Sequence, residues 1–384
     1  MDVLVSWRQR AVLAVAVLSL VVSGVALAVA LAARPDRTPV VAGRGEAGPD
    51  LTLRLSAAIE LLGAPSETVR AGAVFTLEGV LRDAPERQPT VTAVLAGFIR
   101  QRTSTADATG RTGPDGAVRP DSAVGPDSAV GPDGAVEPDG VTRRPAVDVQ
   151  AALTVLGRRD VGRDRPGDRL DLTGAVLTGV SWRGAPLAGA LLAGARLDGA
   201  DLRGARLDGA DLTDASLVGV TLDRATLRDA VLVRADLTNA RINLSTLDGA
   251  ILTGAELVGA GLDGTGLVGA ALIGADLRGA RLDATNLADA NLTDADLSDA
   301  YLGYVTAPGA DLTRARLVGS NLIDIDLSEA LLADTNLNRA WLHGATLDDT
   351  RVTADQISCA LLSDRTLLPA AMPVPARPAP SCAD

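Results

Sequence analysis

One histidine, His343, and two cysteines, Cys359 and Cys382, are the side chains best suited to acid–base, nucleophilic or metal chemistry. Their spacing supports none of it. A metal site needs several His or Cys ligands at short, turn-compatible intervals, and His343 has no such companion. It follows Leu342 at an outward position, where a single histidine is a surface residue. The cysteines form no CxxC pair, and neither lies beside a candidate base. In an oxidising compartment they could pair with each other; otherwise they are free thiols, the simpler reading. Serines and threonines are scattered, without the sharp turn that exposes a nucleophile. The glycines keep a fixed interval instead of clustering into a phosphate loop. The sequence thus predicts no catalytic residue, no cofactor and no metal.

That glycine interval belongs to a longer pattern. From Leu172 to Val352 every fifth residue is leucine except Trp182, Ile242, Ala307 and Val352, through 37 positions with no insertion. Two residues before nearly all of these sits a small residue, usually alanine, as in Ala175, Ala185 and Ala190. A period of five is neither the 3.6 of a helix nor the 2 of a flat strand. Within a unit, alanine and leucine can face inward while the residue between them faces out. The next two residues must turn a corner, and the second is often glycine, as at Gly174 and Gly179. Other units place Asp, Asn or Arg there, so the corners need not share one turn type. Such units bury their leucines only by stacking coil on coil.

Runs such as Ala200-Asp201-Leu202-Arg203-Gly204 and Ala290-Asn291-Leu292-Thr293-Asp294 resemble the pentapeptide-repeat family. The resemblance spans about half the chain and implies a mainly β fold, a right-handed quadrilateral β-helix with four pentapeptides per coil. Some nine coils would then form a rod of about 43 Å at a strand spacing of about 4.8 Å. Residues 166–352 form this coil. Ala307-Pro308 is its weakest unit, losing a large side chain and a backbone donor. A local widening is expected there, with the register recovered at Leu312.

With four units per coil, residues twenty apart stack on one wall. Asp236, Glu256, Asp276 and Asp296 then form an outward column of carboxylates, which repel one another unless solvated or countered. Elsewhere signs alternate, as in Asp208, Arg228 and Asp248, or Asp294, Arg314 and Asp334. The acidic column is either a solubilising face or a docking surface for a basic partner. Tyr301, Asn321 and Trp341 share another column, where exposed aromatics are candidate contact residues or pack beneath a loop.

Residues 1–10 flank an uncharged apolar run, 11–33, long enough to span a bilayer. A cleaved signal peptide is the rival, given Ala30-Leu31-Ala32, but signal h-regions are usually shorter. The run is therefore expected to be an uncleaved transmembrane helix, placing the protein in the cell membrane as a single-pass chain. Arg34, Arg37 and Arg44 outnumber Arg8 and Arg10, which slightly favours a cytoplasmic bulk. A tether, 34–49, leads to a small α-helical module at 50–160. Its apolar stripes are Leu51, Leu55, Ile59 and Leu62, then Val69, Ala73, Val74, Leu77, Val80 and Leu81. A third follows Pro89, and a fourth follows Pro145 and stops at Gly157. The stretch Val69 to Glu78, with Asp83 and Pro89-Thr90-Val91, resembles the helical module that precedes the repeats in membrane-anchored actinobacterial pentapeptide proteins. A Pro-Asp-rich insert at 104–145 repeats with period six and offers nothing to fill a core. After the coil, Thr353 to Gln356 fits a capping box, and 353–368 is expected to be a helix covering the last coil. The Pro-rich tail, 369–384, closes the chain.

These readings predict a non-enzymatic, membrane-anchored scaffold that engages a protein partner of basic character through its rod. The helical module would be a second docking or oligomerisation element, and rods could pair as homodimers. No direct nucleic-acid binding is expected. The alternative is mimicry of DNA. Gyrase-binding pentapeptide proteins of quinolone resistance resemble the coil, and residues 283–352 carry 12 acids against 4 arginines.

Overall fold

The computed structural model describes residues 49–109, 145–165, 167–370 and 372. The expected membrane span 11–33, the tether up to residue 48, most of the insert and the tail from 373 lie outside the described residues. Among those described, no helix is long and apolar enough to cross a membrane.

Leu172 donates its N–H to Leu191 O at 2.8 Å, and Leu191 donates to Leu170 O at 2.9 Å. This parallel exchange between residue i and residue i+20 recurs to the end of the coil. It defines four walls, named here by their outward residues. The first runs from Asp171 to Leu331, the second from Val176 to Asn336, the third from Ser181 to Leu361, and the fourth from Pro186 to Leu367. Leucines and alanines from all four walls fill the interior and are fully buried. Burying one leucine contributes about 1.5–3 kcal/mol, so the regular column is the main source of cohesion.

Every corner has the same backbone. The last residue of each unit is left-handed, with φ from 62° to 71° at the coil glycines and from 53° to 61° at seventeen other residues, including Asp214, Arg224, Leu244 and Tyr304. The corners are therefore uniform, contrary to the variety their sequence suggests. Stacking against identical neighbours imposes a conformation that single residues would avoid.

The expected widening at Ala307-Pro308 is also absent. Ala307 N donates to Asp326 O at 2.8 Å, and Asp289 N donates to Pro308 O at 3.0 Å, so the ladder is unbroken. Proline is harmless there because the residue just after the leucine position gives its N–H to no backbone carbonyl. In many units that N–H goes instead to a side chain. Thr238 N donates to Asp236 Oδ1 at 2.9 Å, Thr293 N to Asn291 Oδ1 at 3.0 Å, and Ile323 N to Asn321 Oδ1 at 3.1 Å. These are Asx turns, which aspartate and asparagine close equally well.

Among the described residues four α-helices precede the coil: α1 (Pro49–Leu61), α2 (Glu67–Asp83), α3 (Gln88–Thr109) and α4 (Val147–Gly157). The third runs beyond Ser104, into the stretch that the Pro-Asp repeat suggested was all insert. Ile59 and Val69 face outward from their expected stripes, while Ala58, Leu62, Ala73, Val74 and Leu77 are buried. Asp148, fully buried at the start of α4, receives hydrogen bonds from Arg70 of α2 and Arg102 of α3. A buried carboxylate is tolerated when paired in this way, and the pairing fixes α4 to the helices before the insert.

The module closes the near end of the tube. Thr103 accepts from Val176 N at 3.1 Å, and Arg159 donates to Pro186 O at 2.6 Å. Arg100 pairs with Asp171. Pro186 itself has no N–H to leave unpaired on that edge. Trp182, in the first coil, fills the open mouth beneath Gly157, where an added Cβ would lie 2.9 Å from Trp182 Nε1.

The far end is closed differently from the expected helix over 353–368. The Thr353–Gln356 capping box is present, but helix α5 spans only Ala354–Ile357. Gln356 then donates to Leu332 O at 2.6 Å and Thr335 O at 3.1 Å. The chain returns to extended backbone, pairing Leu361 with Trp341 and Leu367 with Thr346. Open edges of the last coil offer more hydrogen bonds to a strand than to a helix, so they capture the segment.

Candidate interaction surface

The second wall stacks Asp236, Glu256, Asp276 and Asp296 in register. The column is not bare. Arg278 grips Asp276, with Nε 2.8 Å from Oδ1 and Nη2 2.6 Å from Oδ2. That guanidinium holds the Asp276 carboxyl below its usual range, against a smaller opposing effect of burial. Arg316 lies 3.4 Å from Asp296. Asp236 and Glu256 make no ion pair among the described residues, and Asp236 is engaged in its Asx turn. Asp236, Asp276 and Asp296 therefore have a local purpose: they close corners, and arginines beside two of them offset part of the charge. The alternating column behaves similarly, with Arg314 bound to both oxygens of Asp294 at 2.6 and 2.5 Å.

The third wall is chemically different towards its far end. Tyr301 is 49% exposed, Tyr304 67% and Trp341 47%. Both tyrosines of the chain are thus displayed within three successive coils. Of the other described aromatics, Phe98 and Trp182 are buried and Phe75 is exposed on α2. Tyr301 and Trp341 flank Asn321 on the wall, as their spacing predicts. Among the described residues no loop covers them, and both rings stay about half exposed. Tyr304, which stacking at twenty residues does not link to that column, stands at the following corner in the left-handed conformation (φ 57°). Its signal is present in the sequence: it occupies the position where glycine is usual.

An aromatic at Tyr301 is possible because another residue closes its corner. Gly303 N donates to Asp283 Oδ1 of the preceding coil at 2.9 Å. Below it the same relay runs from Asp283 N to Asp263, Asp263 N to Asn243, and Asn243 N to Asp223, at 3.1, 3.0 and 3.2 Å. The outward positions of these units, Arg241, Gly261, Arg281 and Tyr301, are thereby released from turn duty. Arg281 places its guanidinium 5.9 Å from the Tyr301 ring centre and 3.5 Å from Asp263. Trp341 meets His343 edge-on, with ring centres 6.5 Å apart.

His343 is thus a neighbour of Trp341. Cys359 is disulfide-bonded, which corrects the expectation of a free thiol. No cluster of His, Cys, Asp or Glu among the described residues is arranged to hold a metal. The buried hydroxyls of Ser245, Thr265 and Thr285 stack in one inner column, each donating to a leucine or isoleucine carbonyl at 2.7–2.9 Å. They are satisfied core groups.

A family model described as pentapeptide repeats matches residues 171–209, 205–243, 230–265, 267–303 and 310–349, in eight copies. Among solved structures, the chain is similar to HetL, a pentapeptide repeat protein involved in heterocyst differentiation regulation from the cyanobacterium Nostoc. The identity is 32%, over 51% of this chain and 91% of that one, with a TM-score of 0.31. A full-length plasmid-mediated fluoroquinolone resistance protein, QnrB1, is 17% identical over 49% of this chain and 92% of its own, with a TM-score of 0.23. A pentapeptide repeat protein of the Arabidopsis thaliana thylakoid lumen is 26% identical over 34% and 67%, with a TM-score of 0.16. No curated protein matches the chain.

Proposed function

Since its coil places this chain in the pentapeptide-repeat family, we propose that the protein is a non-enzymatic scaffold offering a rigid β-helical wall to a protein partner. The observation that carries this reading is the exposed Tyr301, Tyr304 and Trp341. The interior is already filled by leucine, so these rings contribute nothing to the core, and exposed aromatics gathered on one face favour contact. The apolar run 11–33 serves as a single-pass membrane anchor in this reading.

The helical module is better explained as a cap than as a second docking element, because its polar side chains are spent on the first coil. Mimicry of DNA is the weaker alternative. It calls for rows of free carboxylates, whereas Asp276 and Asp296 lie against arginines. Disulfides persist in oxidising compartments, so bonded Cys359 supports a coil facing away from the cytoplasm, against the arginine count.

Site-specific photo-crosslinking in intact membranes tests the scaffold reading. Probes on each of the four walls should yield a discrete partner from at least one, and adducts from none would sink it. Inhibition of DNA supercoiling by the purified protein at micromolar concentration would favour the alternative. Protease accessibility in intact cells reports the orientation.

A further inference from the structure

Arg281 already shows what the far part of the third wall accepts. Its guanidinium lies over the Tyr301 ring and is also paired with Asp263 and Asp283, at 3.5 and 3.9 Å. A ring face with carboxylates beside it is a setting for a planar cation. The same combination of rings and acids continues up the wall. Tyr304 stands one coil below Asp324 in the same corner column, and Trp341 is one coil above Asn321 on the wall face. Asp299, exposed, borders the opposite corner beside Tyr301. Asp324 is only loosely engaged, 3.5 Å from Arg365. Around these rings the coil carries 12 acids against 4 arginines between residues 283 and 352.

We propose that Tyr301, Tyr304 and Trp341, with Asp299 and Asp324, dock an arginine-bearing segment of a partner protein. This rests on the scaffold reading and names its surface and partner chemistry. The guanidinium would stack on an exposed ring while its N–H groups reach a corner carboxylate. Lysine carries the same charge but presents no planar face, so it would be the poorer occupant. The acidic column of the second wall would contribute only a general field, because its strongest members are occupied by Arg278 and Arg316.

The test is calorimetric titration of the full chain in detergent with nona-arginine and with nona-lysine. Nona-arginine should bind more tightly. Trp341→Ala and Tyr304→Ala, both at exposed positions, should each weaken it by about threefold or more, in line with the loss of one cation–π contact. A control with Asp236→Asn and Glu256→Gln should leave the preference for arginine intact. Equal affinity for the two peptides, or indifference to both aromatic changes, would overturn the proposal. So would loss of binding in the second-wall control alone. Photo-crosslinkers at positions 304 and 256 separate the two levels of inference. Partner adducts at 256 but not at 304 dismiss this docking site and leave the scaffold standing. Adducts from none of the walls dismiss both.

Discussion

Gln150 meets the backbone of Ser181 with both ends of its amide: Nε2 donates to Ser181 O at 2.9 Å, and Oε1 accepts from Ser181 N at 3.4 Å. In every later coil those two groups pair with another coil. Here a helical side chain imitates the missing neighbour. Removing it leaves a donor and an acceptor on an open parallel edge, the feature that invites another chain to add on. Gln150→Ala should cost about 1–2 kcal/mol in chemical denaturation. It should also produce concentration-dependent association in light scattering. A variant that stays monomeric with unchanged stability would refute the capping role.

Gly157 offers a sharper test of the same junction. An added Cβ would sit 2.9 Å from Trp182 Nε1, closer than real Cβ contacts come. Gly157→Ala should therefore destabilise by about 1–3 kcal/mol, as overpacking does. Combining it with Trp182→Leu, the residue used at this position in most other units, should recover part of that loss. Purely additive costs in the double variant would show that the two residues do not press on each other.

The corners predict opposite signs for two simple exchanges. Gly194 has φ 63°, and an added Cβ there would meet nothing within 4 Å, so Gly194→Ala isolates the backbone penalty, about 1 kcal/mol. Leu244 is exposed and held at φ 57°. Leu244→Gly should be neutral or stabilising by up to about 1 kcal/mol, the relief of strain exceeding the entropy of glycine. Thermal unfolding of both variants would check this. A clear loss of stability in Leu244→Gly would contradict the uniform corner.

Acid should weaken the coil through its tied carboxylates. Arg203 holds the Asp201 carboxyl far below its usual range, burial opposing and Arg183 assisting, and Arg278 lowers that of Asp276. A folded-state pKa below the unfolded one gives stability that is complete above the unfolded value, about 3.9, and is lost as pH falls toward the folded value. Melting temperature should be level from pH 7 to about 5 and drop below about pH 4. Asp276→Asn keeps the corner acceptor and cannot ionise, so it should flatten part of that drop. A melting temperature unchanged down to pH 3 would rule out the linkage.

The leucine interval makes the coil legible in the sequence, because a strict period of five admits few architectures. Stacking at i+20 comes from the resemblance to pentapeptide repeats, which implies four units per coil, and with it come the positions of the acidic column, Tyr301 and Trp341. What the interval does not show is the use of each outward side chain. Asp236 closes the corner of its own unit, whereas Asp283 closes that of the next coil, and which of the two a carboxylate does is a three-dimensional fact. Pro308 looks disruptive in sequence because the idle N–H of the residue after leucine is invisible in one dimension. The short α5 looks longer for a related reason: helical spacing near Ile357 competes with a free edge that only the assembled coil possesses. Tyr304 escapes notice because its position is one that glycine usually fills.

Aspartate and asparagine close these corners interchangeably, as at Asp236 and Asn291. Exchanging one for the other alters the surface potential by a full charge at each site and leaves the backbone path in place. On such a frame, colloidal behaviour and partner selectivity can drift by single neutral or ionic replacements, with no remodelling of the tube that carries them.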